Sequence, residues 1–219
     1  GLHAASLVKD GGTLQIGIGA LSDAIVHGLL WRERDPAAFA HTVRALSSLR
    51  SPDLGIECGR FERGLYGASE MVMDGFMHLR KAGILRREVF DDLGLQRLMN
   101  AGCVGPVADA STLDRFIEAG LVSMPLDRPS LRWLQKFGLV DPTVELVDGE
   151  LRWPDGMRSG ADLCDRGAKR MLVEHIDGKA LVGGRYLHGA FWLGSRLLQD
   201  WLRELDGADY TGLCMTRVA

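Results

Sequence analysis

The pattern that most constrains this chain is an apolar stretch that runs into glycines and then into a helical repeat, and it occurs twice. Near the start, "TLQIGIG" reads as a buried strand with a glycine turn, and "SDAIVHGLLWRE" follows with Ile25, Leu29 and Leu30 at helical spacing. Ser22 or Asp23 is placed to cap that helix. Near the end, "KALVGGRYLHGAFWLGSRLLQDWLREL" repeats the order, with a helix that carries Leu197, Leu198, Trp201 and Leu202 inward. Alternation of this kind points to an α/β fold, an open, mostly parallel sheet with flanking helices. The last residues, "GLCMTRVA", read as a strand that stops without a cap or loop, as if cut in mid-element.

Between the two copies the pattern is more varied. "RDPAAFA" breaks the first helix, and "HTVRAL" reads as a second strand. Residues 47–67, rich in Gly, Ser and charge, read as a long surface loop. "ASEMVMDGFMHLRKAGIL" is expected to be helical, with Met71, Phe76, Met77 and Leu79 on its apolar face, Ser69 as cap and Gly83 as stop. "DASTLDRFIEAGLV" is a second such helix, with Ser111 or Thr112 as cap and Gly120 as stop. From 125 the character changes. "PLDRPSLRWLQKFGLVDP" gives a short helix bracketed by prolines, and "TVELVDGELRWPDG" gives a β-hairpin. Its Asp148-Gly149 turn suits a tight connection in which both central residues have positive φ. The expected organisation is residues 1–124 as the first part of the α/β domain, 125–182 as a small inserted subdomain containing the hairpin, and 183–219 as the return.

Composition excludes several function classes. The 219 residues carry a net charge of −3, so no general affinity for nucleic acid or an anionic membrane is expected. No apolar run approaches the roughly 20 residues of a membrane span, and "GLHAASLVKD" lacks the basic head and apolar core of a signal peptide. A cytoplasmic protein is the expectation. Cys58, Cys103, Cys164 and Cys214 lie far apart, which argues for buried free thiols rather than a zinc site. His3, His27, His41, His78 and His175 show no metal-binding spacing, so no metal is expected.

The opening glycines do not make a dinucleotide fingerprint. Gly17 and Gly19 are followed by Ser22 where a third glycine belongs, and Ser47 and Ser48 stand where an acid should end the second strand. The chain also lacks the Gly-Lys-Ser/Thr of a phosphate loop and the G-x-S-x-G of a hydrolase elbow. What remains is a turn, Gly17, Ile18, Gly19 and Ala20, whose amides can approach a ligand at the positive end of a helix. It suits a carbonyl oxygen or a phosphate, or else is a tight βα turn and nothing more. Glu70, between small and apolar neighbours, is a candidate nucleophile, base or ligand clamp, or simply first-turn charge on a helix; Asp74 would share its face. His188, beside Gly189 at a strand end, is a candidate functional group or a satisfied structural histidine.

Three stretches, "DGGTLQIGIGALSDAI", "SEMVMDGFMHLRKAGIL" and "LHGAFWLGS", together resemble the acetyl-CoA hydrolase/CoA-transferase family, in the family's order and with a matching insertion. Ser22 stands where that family usually has proline, and Ala190 and Trp192 replace a glycine and a phenylalanine. The resemblance implies a CoA-transferase-like domain made of related α/β halves, of which this chain is the front part of the second. It implies acyl-CoA thioester hydrolysis or transfer, with acetyl-CoA or another short acyl-CoA as substrate, a carboxylate acceptor in the transferases, and no covalently bound cofactor. A homo-oligomer is expected. The family's nucleophilic glutamate and its S-G-x-G-G loop are expected beyond Ala219, so no catalytic residue is assigned and the chain alone is expected to be inactive. The resemblance places Gly17, Ile18, Gly19 and Ala20 as acyl-CoA-binding or oxyanion-stabilising residues. It places Glu70, His188 and Gly189 at the pocket rim. A non-catalytic CoA-binding or subunit-interaction module is the alternative.

Overall fold

A computed structural model describes residues 1–46 and 55–215. In chain order the first elements are α1 (Leu2–Leu7), β1 (Thr13–Leu14), α2 (Ala20–Arg34), α3 (Pro36–Leu46), β2 (Tyr66–Ala68), β3 (Met71–Val72), α4 (Asp74–Lys81), α5 (Leu93–Asn100) and α6 (Thr112–Glu118). They are followed by α7 (Arg128–Lys136), β4 (Glu145–Val147), β5 (Glu150–Arg152), β6 (Arg158–Gly160), α8 (Arg166–Ile176), β7 (Leu187–Gly189), β8 (Phe191–Trp192), α9 (Arg196–Glu204), α10 (Gly207–Gly212) and β9 (Leu213–Met215). The chain divides into two compact units, residues 1–89 with 185–219, and residues 90–184.

The first unit is an α/β layer built on a four-stranded parallel sheet in the order β1-β2-β7-β9. Because strand order follows chain order, right-handed crossovers carry α2, α4 and α9 to one face. Gly67 shows which face that is. A Cβ there would point at Phe76 and Leu85, and in fact would collide with Leu187 at 2.5 Å. Residues of a strand alternate in direction, so Tyr66 and Ala68 point the other way, together with Thr13, His188 and Cys214, which share their register. On the helix side Leu14, Leu29, Phe39, Leu65, Phe76, Leu79 and Leu187 form the core. β3 and β8 prolong the β2–β7 pairing in the same register, Met71 opposite Phe191 as Gly67 is opposite Leu187.

Two residues tie the long connections of this unit to its helices. Arg32, on α2, is 1% exposed. Its guanidinium donates to the carbonyls of Val8 and Gly59, both at 2.6 Å, and lies over the Phe61 ring. The Asp10 carboxylate accepts from the amides of Gly11, Glu62, Arg63 and Gly64 at 2.9–3.2 Å. The "DGG" of the first motif is thereby a loop organiser. Residues 47–54 of the expected surface loop, Ser47 and Ser48 among them, lie outside the described residues, as do 216–219. The described end of the chain is a strand, β9.

Two elements differ from the sequence expectation. "HTVRAL" belongs to helix α3, which Pro36 starts and the Asp35 carboxylate caps through the Ala38 amide at 3.0 Å. Phe39, Ala40 and Val43 are buried at helical spacing, a pattern that six residues alone do not display. The expected helix from Ser69 begins only at Asp74. Strand pairing takes the preceding residues, since the Glu70 carbonyl accepts from the amides of Ala190 and Phe191 and Ser69 Oγ donates to the Ile16 carbonyl instead of capping. Glu70 and Asp74 therefore share no helical face. On α9, Leu198 and Trp201 are buried as expected, but Leu197 points to solvent.

The second unit packs α5, α6, α7 and α8 with the antiparallel sheet β4-β5-β6. Asp148 and Gly149 turn the hairpin with φ of 51° and 78°. Gly83 and Gly120 end their helices at φ 71°. Trp133 sits edge-on between Phe116 and Phe137 with both centroids at 4.9 Å, and its indole N–H donates to Asp92 at 2.9 Å. The unit begins at Phe90 rather than near 125 because α5 and α6 bury Leu95, Leu113 and Phe116 in one core with Leu131, Leu151 and Leu172. Composition changes at 125; burial does not. No described helix is long and apolar enough to cross a membrane. The four cysteines are free, but Cys103 and Cys164 are exposed and the other two half-buried, so the expected burial is corrected.

Candidate functional site

Three helix starts meet at the C-terminal ends of the parallel strands. Ile16, Ile18, Gly19, Ser22 and Asp23 follow β1, Met73, Asp74 and Gly75 follow β3, and Leu193 and Gly194 follow β8; together they line an open cleft of about 220 Å³. This edge of a parallel α/β sheet is where ligands bind by rule, because the helices beyond it present their amides there.

The chain makes this edge unusually bare. Gly19 stands before α2 at φ 113°, ψ 169°, a conformation that only glycine adopts without strain, and no side chain caps the helix. The first amides of α2 are thus left without helical partners. Gly17 is exposed, its φ is ordinary, and a Cβ there would meet nothing within 4 Å. Packing does not require a glycine at 17; close approach of another molecule to the backbone would. α4 likewise starts without a side-chain cap, at Met73. Gly75 lets α4 close on α2, since a Cβ would come within 2.7 Å of Val26.

Asp74 is the group the cleft is built to hold. Its carboxylate accepts from the Ser195 amide at 3.0 Å and from the Ser195 hydroxyl. Burial pushes the Asp74 carboxyl up, but the Ser195 hydrogen bonds outweigh it and hold the group below its ordinary value. Gly194 makes the approach possible, because a Cβ there would collide with Asp74 at 2.5 Å. Ser195 Oγ also accepts from the Leu197 amide at 3.2 Å, so one serine caps α9 and anchors the acid of α4. Around this polar centre Ile18, Leu21, Leu193 and Leu197 are 50–67% exposed, and Phe191 and Trp192 are exposed on β8.

The candidate residues read from sequence separate into groups. Ile18 and Gly19 line the cleft, and Gly17 and Ala20 flank them on the same exposed turn. Glu70 is exposed where β2 gives way to β3, outside the cleft lining, and only its backbone is bonded among the described residues. Gly189 is buried and is a packing glycine, because a Cβ would collide with Val72. His188 stands on the sheet face away from α4, its Nδ1 2.7 Å from the Tyr66 hydroxyl. Tyr66 is 9% exposed, and burial, reinforced by Cys214 and opposed by Arg87, raises its phenol above the ordinary value. The Arg87 guanidinium lies 5.6 Å from the Tyr66 ring centre and donates to Thr13 Oγ1 at 2.9 Å.

Sequence reasoning missed the Asp74–Ser195 link and the Tyr66–His188 pair. A sequence signal existed for the first: "MDG" and "LGS" each end an extended apolar piece with a small residue beside a capping side chain. Chemically, the cleft offers the first amides of α2, which have no side-chain cap among the described residues, for an oxygen, together with a fixed carboxylate and an apolar rim. Among the described residues no group of three or more His, Cys, Asp or Glu side chains is placed to hold a metal ion. No protein-family model matches the chain, and no curated protein or solved structure matches it significantly.

Proposed function

We propose that the protein is an acyl-CoA hydrolase or CoA-transferase whose C-terminal-edge cleft receives the thioester end of a short acyl-CoA. The observation that carries this reading is convergence: the three stretches that resemble the acetyl-CoA hydrolase/CoA-transferase family, far apart in the chain, line a single cleft. Attack on a thioester builds negative charge on its carbonyl oxygen, and preorganised amides at a helix start stabilise such charge. The turn Gly17, Ile18, Gly19 and Ala20 supplies those amides, and the rim of Ile18, Leu21 and Leu193 suits the acyl group and its linker. Asp74 shapes the cleft through Ser195, and Glu70 is given no covalent role. On this reading the protein acts as a cytoplasmic homo-oligomer with a CoA-transferase-like fold. Acyl-CoA is its substrate rather than a resident cofactor, and a carboxylate is the acceptor if it is a transferase.

A second reading, a non-catalytic CoA-binding or subunit-interaction module, is favoured by the exposed Phe191 and Trp192, which lie beside the cleft without lining it. Calorimetric titration with acetyl-CoA, joined to an assay for released thiol, separates the two. On the enzyme reading this chain alone is expected to bind saturably without releasing thiol, and the intact protein to release it; binding without release by the intact protein supports the module. No heat with any of a panel of short acyl-CoAs would overturn the enzyme and the CoA-binding module, and would leave subunit interaction as the reading.

A further inference from the structure

The Tyr66–His188 pair belongs to the face of the sheet opposite α4 and is not used by the cleft. Tyr66 is nine-tenths buried, and its phenol keeps its proton at neutral pH for the reasons of burial given above. A buried O–H left without an acceptor is costly, and among the described residues the hydroxyl's one hydrogen-bond partner is His188 Nδ1, at 2.7 Å. The phenol therefore donates and Nδ1 accepts. In a neutral imidazole the remaining proton must then sit on Nε2. The opposite tautomer would point Nδ1–H at the phenol oxygen and strand the phenol proton.

The residues beside His188 in the sheet are small. His188 is half-buried, its register neighbour on β2 is Ala68, and Ala190 follows two residues along. Cys214 is its neighbour on β9, with no hydrogen bond to it among the described residues. We infer that His188 is a hydrogen-bond donor, its Nε2–H reserved by Tyr66 for a carbonyl or carboxylate oxygen of a bound ligand. Tyr66 is the positioning residue, and His188 is the group that touches the ligand. In its choice of ligand this inference rests on the acyl-CoA reading above: with the thioester carbonyl held by the α2 amides, the amide carbonyls of the CoA arm and a carboxylate acceptor present such an oxygen.

Long-range proton–nitrogen NMR of the uniformly ¹⁵N-labelled chain tests it, with His188 identified as the signal lost in His188→Gln. The expected result is the Nε2–H tautomer in the native chain and a mixture of tautomers in Tyr66→Phe. Acetate and acetyl-CoA are then titrated separately, and each is expected to shift the His188 Nε2–H signal. His188→Ala is expected to weaken acetyl-CoA binding about tenfold, the worth of one hydrogen bond of this kind. His188→Gln, which keeps an N–H near the same place, is expected to restore most of that loss. An Nδ1–H tautomer in the native chain overturns the inference, as does an Nε2–H signal that neither ligand moves. If acetate shifts His188 while acetyl-CoA binds nowhere, the donor role stands and the acyl-CoA reading falls.

Discussion

Two helices at the cleft of the first unit begin differently from most helices of the second unit. In the second unit α5, α7 and α8 are each capped by an aspartate, Asp92, Asp127 and Asp165, whose carboxylates accept a first-turn amide at 2.8 Å. In the first unit two of the three helices that start at the cleft, α2 and α4, begin at Gly19 and Met73 with no side-chain cap, while Ser195 caps the third, α9. Each missing cap forgoes about 1 kcal/mol of stability. The second unit caps three of its four helices with aspartates and buries aromatic rings, although among the described residues Arg152 Nε, Trp153 Nε1 and Ser159 Oγ are buried there without a hydrogen-bond partner. The first leaves amides open and apolar side chains exposed along one edge, which is the pattern of a surface that binds something.

Substitutions can break this contrast or sharpen it. The largest effect is expected from Phe116→Ala, which empties a fully buried site against Trp133 and costs roughly 3–5 kcal/mol. Hydrogen exchange should show protection falling in α6 and α7 while α2 and α4 keep theirs. Equal loss in both units would show that they do not stand apart. Gly19→Ala is next. It forces a side chain into φ 113° and should lower stability by roughly 1–3 kcal/mol in denaturant unfolding. Asp127→Ala, a plain loss of cap, should cost about 1 kcal/mol and leave acetyl-CoA binding unchanged.

Acid sharpens the comparison further. The folded Asp74 carboxyl lies below its ordinary value, so its contribution to stability is present above the unfolded carboxylate pKa of roughly 3.9 and is lost as pH falls through the folded value. Asp74→Asn should therefore reduce stability at neutral pH and flatten its decline in acid, as followed by unfolding midpoints across that range. An unchanged acid slope would remove the Ser195 link from the description of the cleft. The smallest change in stability is expected from Gly17→Ala, within about 0.5 kcal/mol, because a Cβ there meets open space. That variant should nonetheless weaken acyl-CoA binding. If it binds normally, the exposed backbone at 17 has no ligand.

Much of the fold was legible from local pattern. The strand–turn–helix order at both ends and the Asp148-Gly149 hairpin depend on neighbours in sequence, and both are in the structure. Helix α3 was hidden because its start is an aspartate-proline pair that also reads as a breaker. The late start of α4 was hidden because β3 is held by a partner strand 120 residues away. Distance along the chain also concealed the site. Asp74 and Ser195 lie 121 residues apart, and Tyr66 and His188 lie 122 apart, so neither pairing leaves a mark in any short window. The glycine turn was visible because its requirement, a positive φ before a helix, is a property of one residue.

The most direct measurement is amide chemical-shift mapping of the whole chain with acetyl-CoA. Perturbations concentrated at residues 17–23, 73–75 and 193–195, with a further one at 188, saturating with ligand and diminished in Gly17→Ala, are the expected result. Saturating perturbations confined to the second unit, or none at all, would contradict the assignment of this cleft as an acyl-CoA site.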